Sequence, residues 1–533
     1  MSGHKEAIAF WQLGEPNSIM FRSLKNSVNA QAPSHPSKEV VAHQSGGISE
    51  QEHLVKHPSP MSERISLRIK IGYGAGGICD FLFLTVPNNM ALPIYSKHFG
   101  MDTRVLGLAT ALPRLVAAGA DSLIGNISDN TRSRWGRRRP FVLLGAAAGA
   151  VMLPFMWNPP TIYGNAGLFM YITLLMCIYS IFYSIFFVPY QALGYELSSN
   201  YDERTRVQAW KGCMSGIGFF MAPWFFWFCS LSLFPNLVVG VRWLSGIAGA
   251  IMLLGAVLAV IFSPEKVVAQ KQAQIPLGQA LKFTFQNQAF LLLQGGYLFM
   301  QVGVCCGGTV GFYLLLDYVC GGDEKFFGLL LGISGTVSNL ATYAGMVLGV
   351  WLSTHLDKRR TALLGLSGIL LGVTMLIVFL APSYGWLPLL PKKYHPWLTM
   401  LPGILMNLGL QSCNLMFGSM TADICDEDEL ATGMRREGAY ASVSGVLNQA
   451  VMILLLGFAG FMPFLAGYTN MTVKPSLEQL LGMKWILIAT QFLFILGSMG
   501  FMAFYPITRS QSERTQYVLQ QRKRQSAEID RTT

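Results

Sequence analysis

Charge is the scarcest property of this sequence. Asp, Glu, Lys and Arg make up 13% of its 533 residues, about half the share usual in soluble domains. Hydrophobic residues reach 52%. That balance excludes an ordinary water-soluble domain and fits a chain solvated by lipid. Metal and redox ligands are not clustered either. The nine cysteines include no CxxC pair, and Cys79, Cys177, Cys213, Cys305 and Cys306 sit inside apolar runs, as small buried hydrophobes do. No HExxH, nucleophile elbow or His/Cys cluster occurs, so the chain is read as no enzyme, with no cofactor or metal. "GYGAGG" (Gly72 to Gly77) has the glycines of a phosphate loop without its Lys-Ser/Thr, inside an apolar run. There glycine serves close helix approach.

Five of the eight histidines (His4, His35, His43, His53 and His57) precede the first apolar run, in a segment rich in Ser, Gln, Pro and Lys. None of them has a helical ligand spacing. Residues 1–64 read as a disordered cytoplasmic extension, neither signal peptide nor span. Met61 opens "MSERISLRIKIGYG", and translation from it, leaving out residues 1–60, is an expectation that the mass of the native N-terminus would check.

Long apolar runs are what the chain does have. A spanning helix needs about 20 mostly apolar residues, and on that length runs fall near 69–96, 103–127, 138–157, 167–196, 207–233, 242–262, 286–317, 326–352, 361–381, 397–422, 438–467 and 483–505. The expected fold is all-α and integral to the membrane: twelve transmembrane helices in two six-helix bundles, residues 65–262 and 286–508. A central cytoplasmic loop, 263–285, joins the bundles, and 509–533 forms a cytoplasmic tail. A weak repeat supports two halves, since "GRRRPFVLLGAAAG" and "DKRRTALLGLSGI" each set a basic turn before an apolar helix, with Gly145 and Gly365 at the same offset. Such paired bundles suit alternating access around a mid-membrane site.

The net charge of +11 would suggest nucleic acid on a soluble protein. Here the basic residues fall between apolar runs, which is a topology signal, and no nucleic-acid partner is expected. Arg132, Arg134, Arg137, Arg138 and Arg139 follow the second run, Arg204 and Arg206 the fourth, and Lys358, Arg359 and Arg360 the eighth. "MWNPPTIYGNAG" and "SLFPNLVVG", on the other side, carry almost none. The positive-inside rule therefore expects both termini in the cytoplasm, at the cell (inner) membrane.

Ionisable groups at membrane depth are costly and face the interior by default. Asp80 lies about ten residues into the first run and Arg114 about eleven into the second, each roughly 15 Å deep. Antiparallel neighbours would pair them. Asp121, two turns beyond Arg114 on the same face, would lie at the level of Lys211. A helix-packing role for either pair is the competing reading. Amides add a second pattern: Asn407, Gln411 and Asn414 share one helix face. With Asn448, Gln449, Tyr190, Gln191 and Asn339 they outline a polar cavity or an interhelical seam.

Several motifs occur in a familiar order. "GYGAGGICDF", "DSLIGNISDNTRSRWGRRRPF", "FFVPYQALGYEL" with "DERTRVQAWKG", and "MTADICDEDELATGMRREGAYAS" resemble the glycoside–pentoside–hexuronide:cation symporters. This is the melibiose permease-like branch of the major facilitator superfamily, and the resemblance spans most of residues 65–505. It implies roles residue by residue. Asp80 stands at the family's acid in the first helix, Arg114 at an arginine in the second, and Lys211 where many members have arginine. Asp121 matches the second of two cation-binding carboxylates, and the first falls on Ala117. The acid that touches sugar falls on Phe187, and a lysine of the eleventh helix on Gln449. Losing two carboxylates weakens a sodium site, so the coupling ion is a proton or sodium on Asp80 or Asp121, and uniport stays open.

The leading expectation is thus a secondary transporter moving a sugar, glycoside or similar polar solute, functional as a monomer in the bilayer. Its cavity would be lined by Asp80, Arg114, Phe187, Tyr190, Gln191, Lys211, Asn339, Gln411, Asn414, Asn448 and Gln449. Gly125, Asp129 and the arginines from Arg132 to Arg139, with Asp357 and Arg359, would form a cytoplasmic gate. Two alternatives remain: the same fold carrying an amphipath such as a lysolipid, and a non-transporting sensor.

Overall fold

A computed structural model describes residues 65–532 apart from 132, 161–163, 198–200, 265–283, 381–394, 434–435 and 469–472. The N-terminal extension, most of the central segment and Arg132 fall outside the described residues. All regular elements among those described are helical. Helix α1, Leu67–Ala91, runs on as a π-helical turn, Leu92–His98. Helix α2 is Thr103–Asn130, capped where Asp102 accepts from the Arg104 amide at 2.8 Å, one of the orphan donors of a helix start. Helix α3 is Arg139–Phe155, α4 Gly164–Glu196, and α5 Tyr201–Met221. Pro223 breaks α5 into a 3₁₀ turn before Phe225–Cys229 completes it, because proline removes a helical donor. Helix α6 is Leu237–Phe262. Helix α7, Gln288–Cys305, restarts at Gly308–Tyr313 and ends in a second π-helical turn, Leu314–Val319. Then come α8 Glu324–His355, α9 Lys358–Phe379, α10 Met400–Thr432, α11 Glu437–Leu465, α12 Leu477–Ala503 and α13 Arg509–Thr532. Gly433, at φ +72°, stops α10 in a conformation only glycine adopts cheaply.

Nine of these helices, among the described residues, are long and apolar enough to cross a membrane. Twelve apolar runs were expected, and the three that fall short do so for visible reasons. Helix α2 carries Arg104, Arg114, Asp121 and Asp129, α3 has only 17 residues, and α10 combines its amides with an acidic end.

Sequence neighbours are often not packing neighbours. Helix α1 lies against α5 and α6, α2 against α4, and α3 against α4 and α6. In the second set α7 lies against α12, α8 against α10, and α9 against α10 and α12. One apolar core, around Tyr73, Phe83, Trp157 and Phe186, is built mainly on α1–α6 and takes in Leu316 and Phe327 of the second set, and two more are built on α7–α12. Trp157, buried in the first core, donates its indole N–H to Ser245 Oγ at 2.6 Å, as burial of a polar group favours. Between the sets, α2 meets α11 and α5 meets α8.

The two ends of the molecule differ. At the end carrying the arginine turns, Glu203 joins the starts of α1 and α5, 2.7 Å from Lys70 Nζ and 2.7 Å from Arg206 Nη1. Hydrogen bonds from Lys70, then from Arg206 and the Ile65 amide, hold its carboxyl at about 2 despite its burial, so it is ionised at any ordinary pH. At the opposite end the two sets are joined. Thr103 donates to the Gly460 carbonyl at 2.7 Å, Trp224 to Thr336 at 3.0 Å, and Lys97 lies 3.0 Å from Asp317. Nearer mid-depth, a Cβ on Gly216 of α5 would meet the Tyr343 hydroxyl of α8 at 2.8 Å. One turn toward the basic end, a Cβ on Gly212 would meet nothing within 4 Å, and the same holds at Gly119, Gly418 and Gly445. The sets touch at one end and part toward the other.

Candidate functional site

The glycines of "GYGAGG" set the geometry of the first charge. A Cβ on Gly77 would sit 2.7 Å from the Lys211 carbonyl and 2.8 Å from Ser215 Oγ. Only glycine admits α5 this close to α1. Ser215 Oγ donates to the Gly77 carbonyl at 2.9 Å and fixes the contact. One turn further along α1, Asp80 reaches Lys211 across the gap, 3.0 Å from Nζ, with both side chains less than a fifth exposed. Tyr183 of α4 donates to the other carboxylate oxygen at 2.9 Å. The Lys211 ammonium lies over the Phe187 ring at 5.3 Å and the Tyr190 ring at 5.1 Å. A carboxylate and two aromatic faces thus compensate one ammonium in a setting where each counts for more than in water.

These contacts correct two pairings. Asp80 pairs with Lys211 and not with Arg114, because α1 packs on α5 while α2 packs on α4 and α11. Lys211 is therefore not Asp121's partner. Arg114 and Asp121 have no ion-pair partner among the described residues. Both instead line a cavity of about 240 Å³ with Ala117, Tyr183, Phe187 and Gln449. Asp121 faces Ser184, and its Oδ1 is buried with no hydrogen-bond partner among the described residues. Tyr183 and Phe187, stacked at 5.1 Å, form the wall between this cavity and the Asp80–Lys211 pair. The cavity is aromatic on one side and holds one lone cation and one lone anion on α2.

The other expected lining residues divide. Asn414 and Asn448 border a second cavity, of about 380 Å³, with Gln294 of α7 and Ser444 of α11. Tyr190 is fully buried, its hydroxyl donating to the Tyr73 carbonyl at 2.8 Å, so it supports Lys211 from behind and does not line the cavity. Gln191 keeps a buried Oε1 with no partner among the described residues and borders neither cavity. Asn339 donates to the Phe219 carbonyl at 2.6 Å, beside a third, mostly apolar cavity at the joined end. Asn407 bonds back to the Gly403 carbonyl at 2.8 Å, and Gln411 borders neither polar cavity. The amide face of α10 is therefore cavity-lining at Asn414 alone. Tyr183, Gln294 and Ser444 are additions that sequence reading missed, since a lone hydroxyl or amide in an apolar run has no periodic signal.

The expected gate charges bond within their own helix sets. Arg138, buried, lies 2.7 Å from Asp129 and 2.8 Å from Glu196, and Arg137 also reaches Glu196 at 2.8 Å. Arg139 donates to the Ser263 carbonyl, Arg134 is exposed, and a Cβ on Gly125 would lie 3.6 Å from Val188. In the second set Lys358 meets Asp423 at 2.7 Å, Asp357 lies 3.8 Å from Arg360, and Arg359 donates to the carbonyls of Ala503 and Tyr505. Because Asp129 is half exposed, its pair with Arg138 contributes modestly. Asp129→Asn is expected to lower turnover about two- to fivefold, the weight of a surface pair, with KM unchanged. Uptake kinetics check this, and a loss confined to KM would contradict it.

The family described as MFS/sugar transport protein matches residues 72–509. A glucuronide carrier protein homolog of Escherichia coli (strain K12) is 23% identical over 454 residues, 84% of this chain and 94% of its own. An isoprimeverose transporter of Lactiplantibacillus pentosus is 23% identical over 424 residues, 76% of this chain and 82% of its own. Among solved structures, a D-xylose-proton symporter superposes with a TM-score of 0.55 at 13% identity, over 82% of this chain and 96% of its own. That likeness is one of fold.

Proposed function

Because the chain belongs to the family of MFS/sugar transport proteins, we propose that it is a secondary transporter that carries a sugar or glycoside by alternating access, with a cation as its fellow passenger. The observation that carries this is the cavity bounded by Arg114, Asp121, Tyr183, Phe187 and Gln449, between helix sets that touch at one end and part toward the other. In this reading α1–α12 all span the bilayer, as two bundles joined through 263–285. The arginine turns face the cytoplasm of the inner membrane, and the form described is open inward. Helices α2, α3 and α10 then cross in the shelter of their neighbours, which excuses their polarity or length.

Phe187 and Tyr183 offer a flat face to a pyranose ring, and the ions on α2 meet its hydroxyls. Sodium prefers several hard oxygens, and Ala117 supplies none. Asp121, with no ion-pair partner among the described residues, is proposed as the proton carrier, while Asp80 is paired with Lys211. Proteoliposome uptake under an imposed proton or sodium gradient tests the coupling. Accumulation driven by neither gradient, with exchange persisting, would sink symport.

The third cavity supports a second reading. Phe81, Met90, Phe219, Phe226 and Phe312 enclose about 460 Å³ of mostly apolar space, which suits the tail of an amphipath such as a lysolipid. Thermal stabilisation by sugars and lysolipids, measured in parallel, separates the two, because a ligand preferring the folded state raises the Tm.

A further inference from the structure

A cavity of about 610 Å³ plays no part in the roles assigned above. It lies at the arginine end of the second helix set, where α8 passes into α9 and α12 into α13, and α10 contributes Met420 and Asp423. Helices α8, α9 and α12 are each long and apolar enough to cross a membrane, and Ser353, Lys358 and Tyr505 line the cavity from their ends. In the orientation proposed above, that is the level of the lipid headgroups on the cytoplasmic side. Aromatic side chains mark the same level. Trp351, just before Ser353, and Phe504, next to Tyr505, are 57% and 77% exposed, as aromatics at a membrane–water boundary are.

The charges lining the cavity do not cancel. Lys358, Arg359, Arg360 and Arg509 stand against Asp357, Asp423 and Glu513. Asp423, buried, is fully engaged: Lys358 Nζ lies 2.8 and 2.7 Å from its two oxygens, and Ser512 of α13 donates to it at 2.9 Å. Arg509 holds Glu513 at 2.8 Å. Arg359 has no carboxylate among the described residues. It donates to the carbonyls of Ala503 and Tyr505 at the end of α12, which leaves donors of its fork unused. Arg360, 71% exposed, has Asp357 at 3.8 Å, beyond hydrogen-bond reach. Two guanidinium forks and one loosely held carboxylate therefore remain, a positive surplus whose planar donors suit the oxygens of a phosphate.

The lining also says which kind of phosphate. Leu356, Leu363 and Ile507 border the same space as the arginines. A free anion gains nothing from three aliphatic side chains, whereas the glycerol and first acyl carbons of a phospholipid cover them. Basic pockets between spanning helices on the cytoplasmic side hold anionic headgroups in this way.

We infer that this cavity binds the headgroup of an anionic phospholipid of the cytoplasmic leaflet, with Arg359 and Arg360 on the phosphate and the three aliphatic side chains on the glycerol. The bound lipid bridges α9 and α13 and ties the tail helix to the membrane surface. Native mass spectrometry of the full-length protein in neutral detergent tests this, with dioctanoyl phosphatidylglycerol and dioctanoyl phosphatidylcholine as probes. Phosphatidylglycerol should bind at least about fivefold tighter, and Arg360→Gln should remove about fivefold of its affinity, the weight of one basic residue at an anionic surface. Asp357→Asn should tighten phosphatidylglycerol two- to fivefold. Its carboxylate caps nothing on α9, and a damaged fold does not produce a gain. Arg134→Gln, at an exposed position on the other arginine turn, should change nothing, and inorganic phosphate at matched ionic strength should not displace the lipid. Equal affinity for the two lipids, equal losses in Arg134→Gln and Arg360→Gln, or weaker binding in Asp357→Asn overturns the site. Displacement by inorganic phosphate at the lipid's own concentration overturns the lipid and assigns the cavity to a soluble anion. Sugar transport stands or falls separately, because no solute enters the measurement.

Discussion

Lys211→Ala is expected to cut solute uptake by at least about 100-fold, because removing one member of a buried ion pair costs roughly 3–5 kcal/mol. The substitution leaves Asp80 nearly buried with only the Tyr183 hydroxyl for company. A carboxylate so placed has lost the ion partner that offset its desolvation. The Phe187 and Tyr190 rings, the first of which borders the cavity, lose the ammonium that they flank. A purely structural pair would behave the same way in this single variant, so a second variant decides. Replacing both members by uncharged residues of similar size often leaves stability unchanged or improved. Asp80→Asn with Lys211→Met should accordingly melt at or above the wild-type temperature and still fail to transport. Uptake by that double variant within threefold of wild type would reduce the pair to helix packing.

Asp80 stands out as an acid in an apolar run, and the glycines before it announce a close helix approach. Its partner does not follow from the chain order. The nearest basic residue along the chain at matching depth is Arg114, but α1 turns its glycine face to α5, so spatial adjacency selects Lys211. Depth along a helix is readable from residue counts, whereas facing depends on which helices pack. The same limit explains the amides. The spacing of Asn407, Gln411 and Asn414 shows one face of α10, yet only Asn414 reaches a cavity, because Asn407 bonds back to its own helix. Gln294, alone in "FLLLQGGYLF", forms no pattern at all, and its importance appears only when three helices converge. By contrast, the helical runs and the arginine turns depend on local composition alone, and those were legible throughout.

The joined end should prove as sensitive as the centre. Asp317→Asn is expected to shift the protein toward the form open at the end away from the arginines and to lower uptake at least about tenfold, for a reason built into the first helix of each set. Helices α1 and α7 both finish in π-helical turns, Leu92–His98 and Leu314–Val319, a rare geometry concentrated at functional positions. The turns meet: Lys97 lies 3.0 and 3.1 Å from the two oxygens of Asp317, and Ser96 shares a hydrogen bond with Tyr313 at 3.0 Å. Asp317 is 3% exposed and Lys97 19%, so this is a nearly dry pair and not a surface one. In alternating access the contact must break each cycle, and its strength sets part of the balance between the two forms. Losing even about 1.4 kcal/mol from one form changes the ratio tenfold. A Cys reporter at Asn88, which lines the first cavity, makes the shift visible through alkylation by an impermeant reagent in right-side-out and inside-out vesicles. With Asp317 intact, modification should proceed from the arginine side. In the Asp317→Asn background it should accelerate at least about tenfold from the other side, matching the shift in populations. Exchanging the charges, Lys97→Asp with Asp317→Lys, should restore most of both uptake and sidedness, since the ammonium and carboxylate still meet between the two turns. Unchanged sidedness in Asp317→Asn would mean that the α2–α11 and α5–α8 contacts hold this end closed without the pair, and that the π-helical turns serve packing alone.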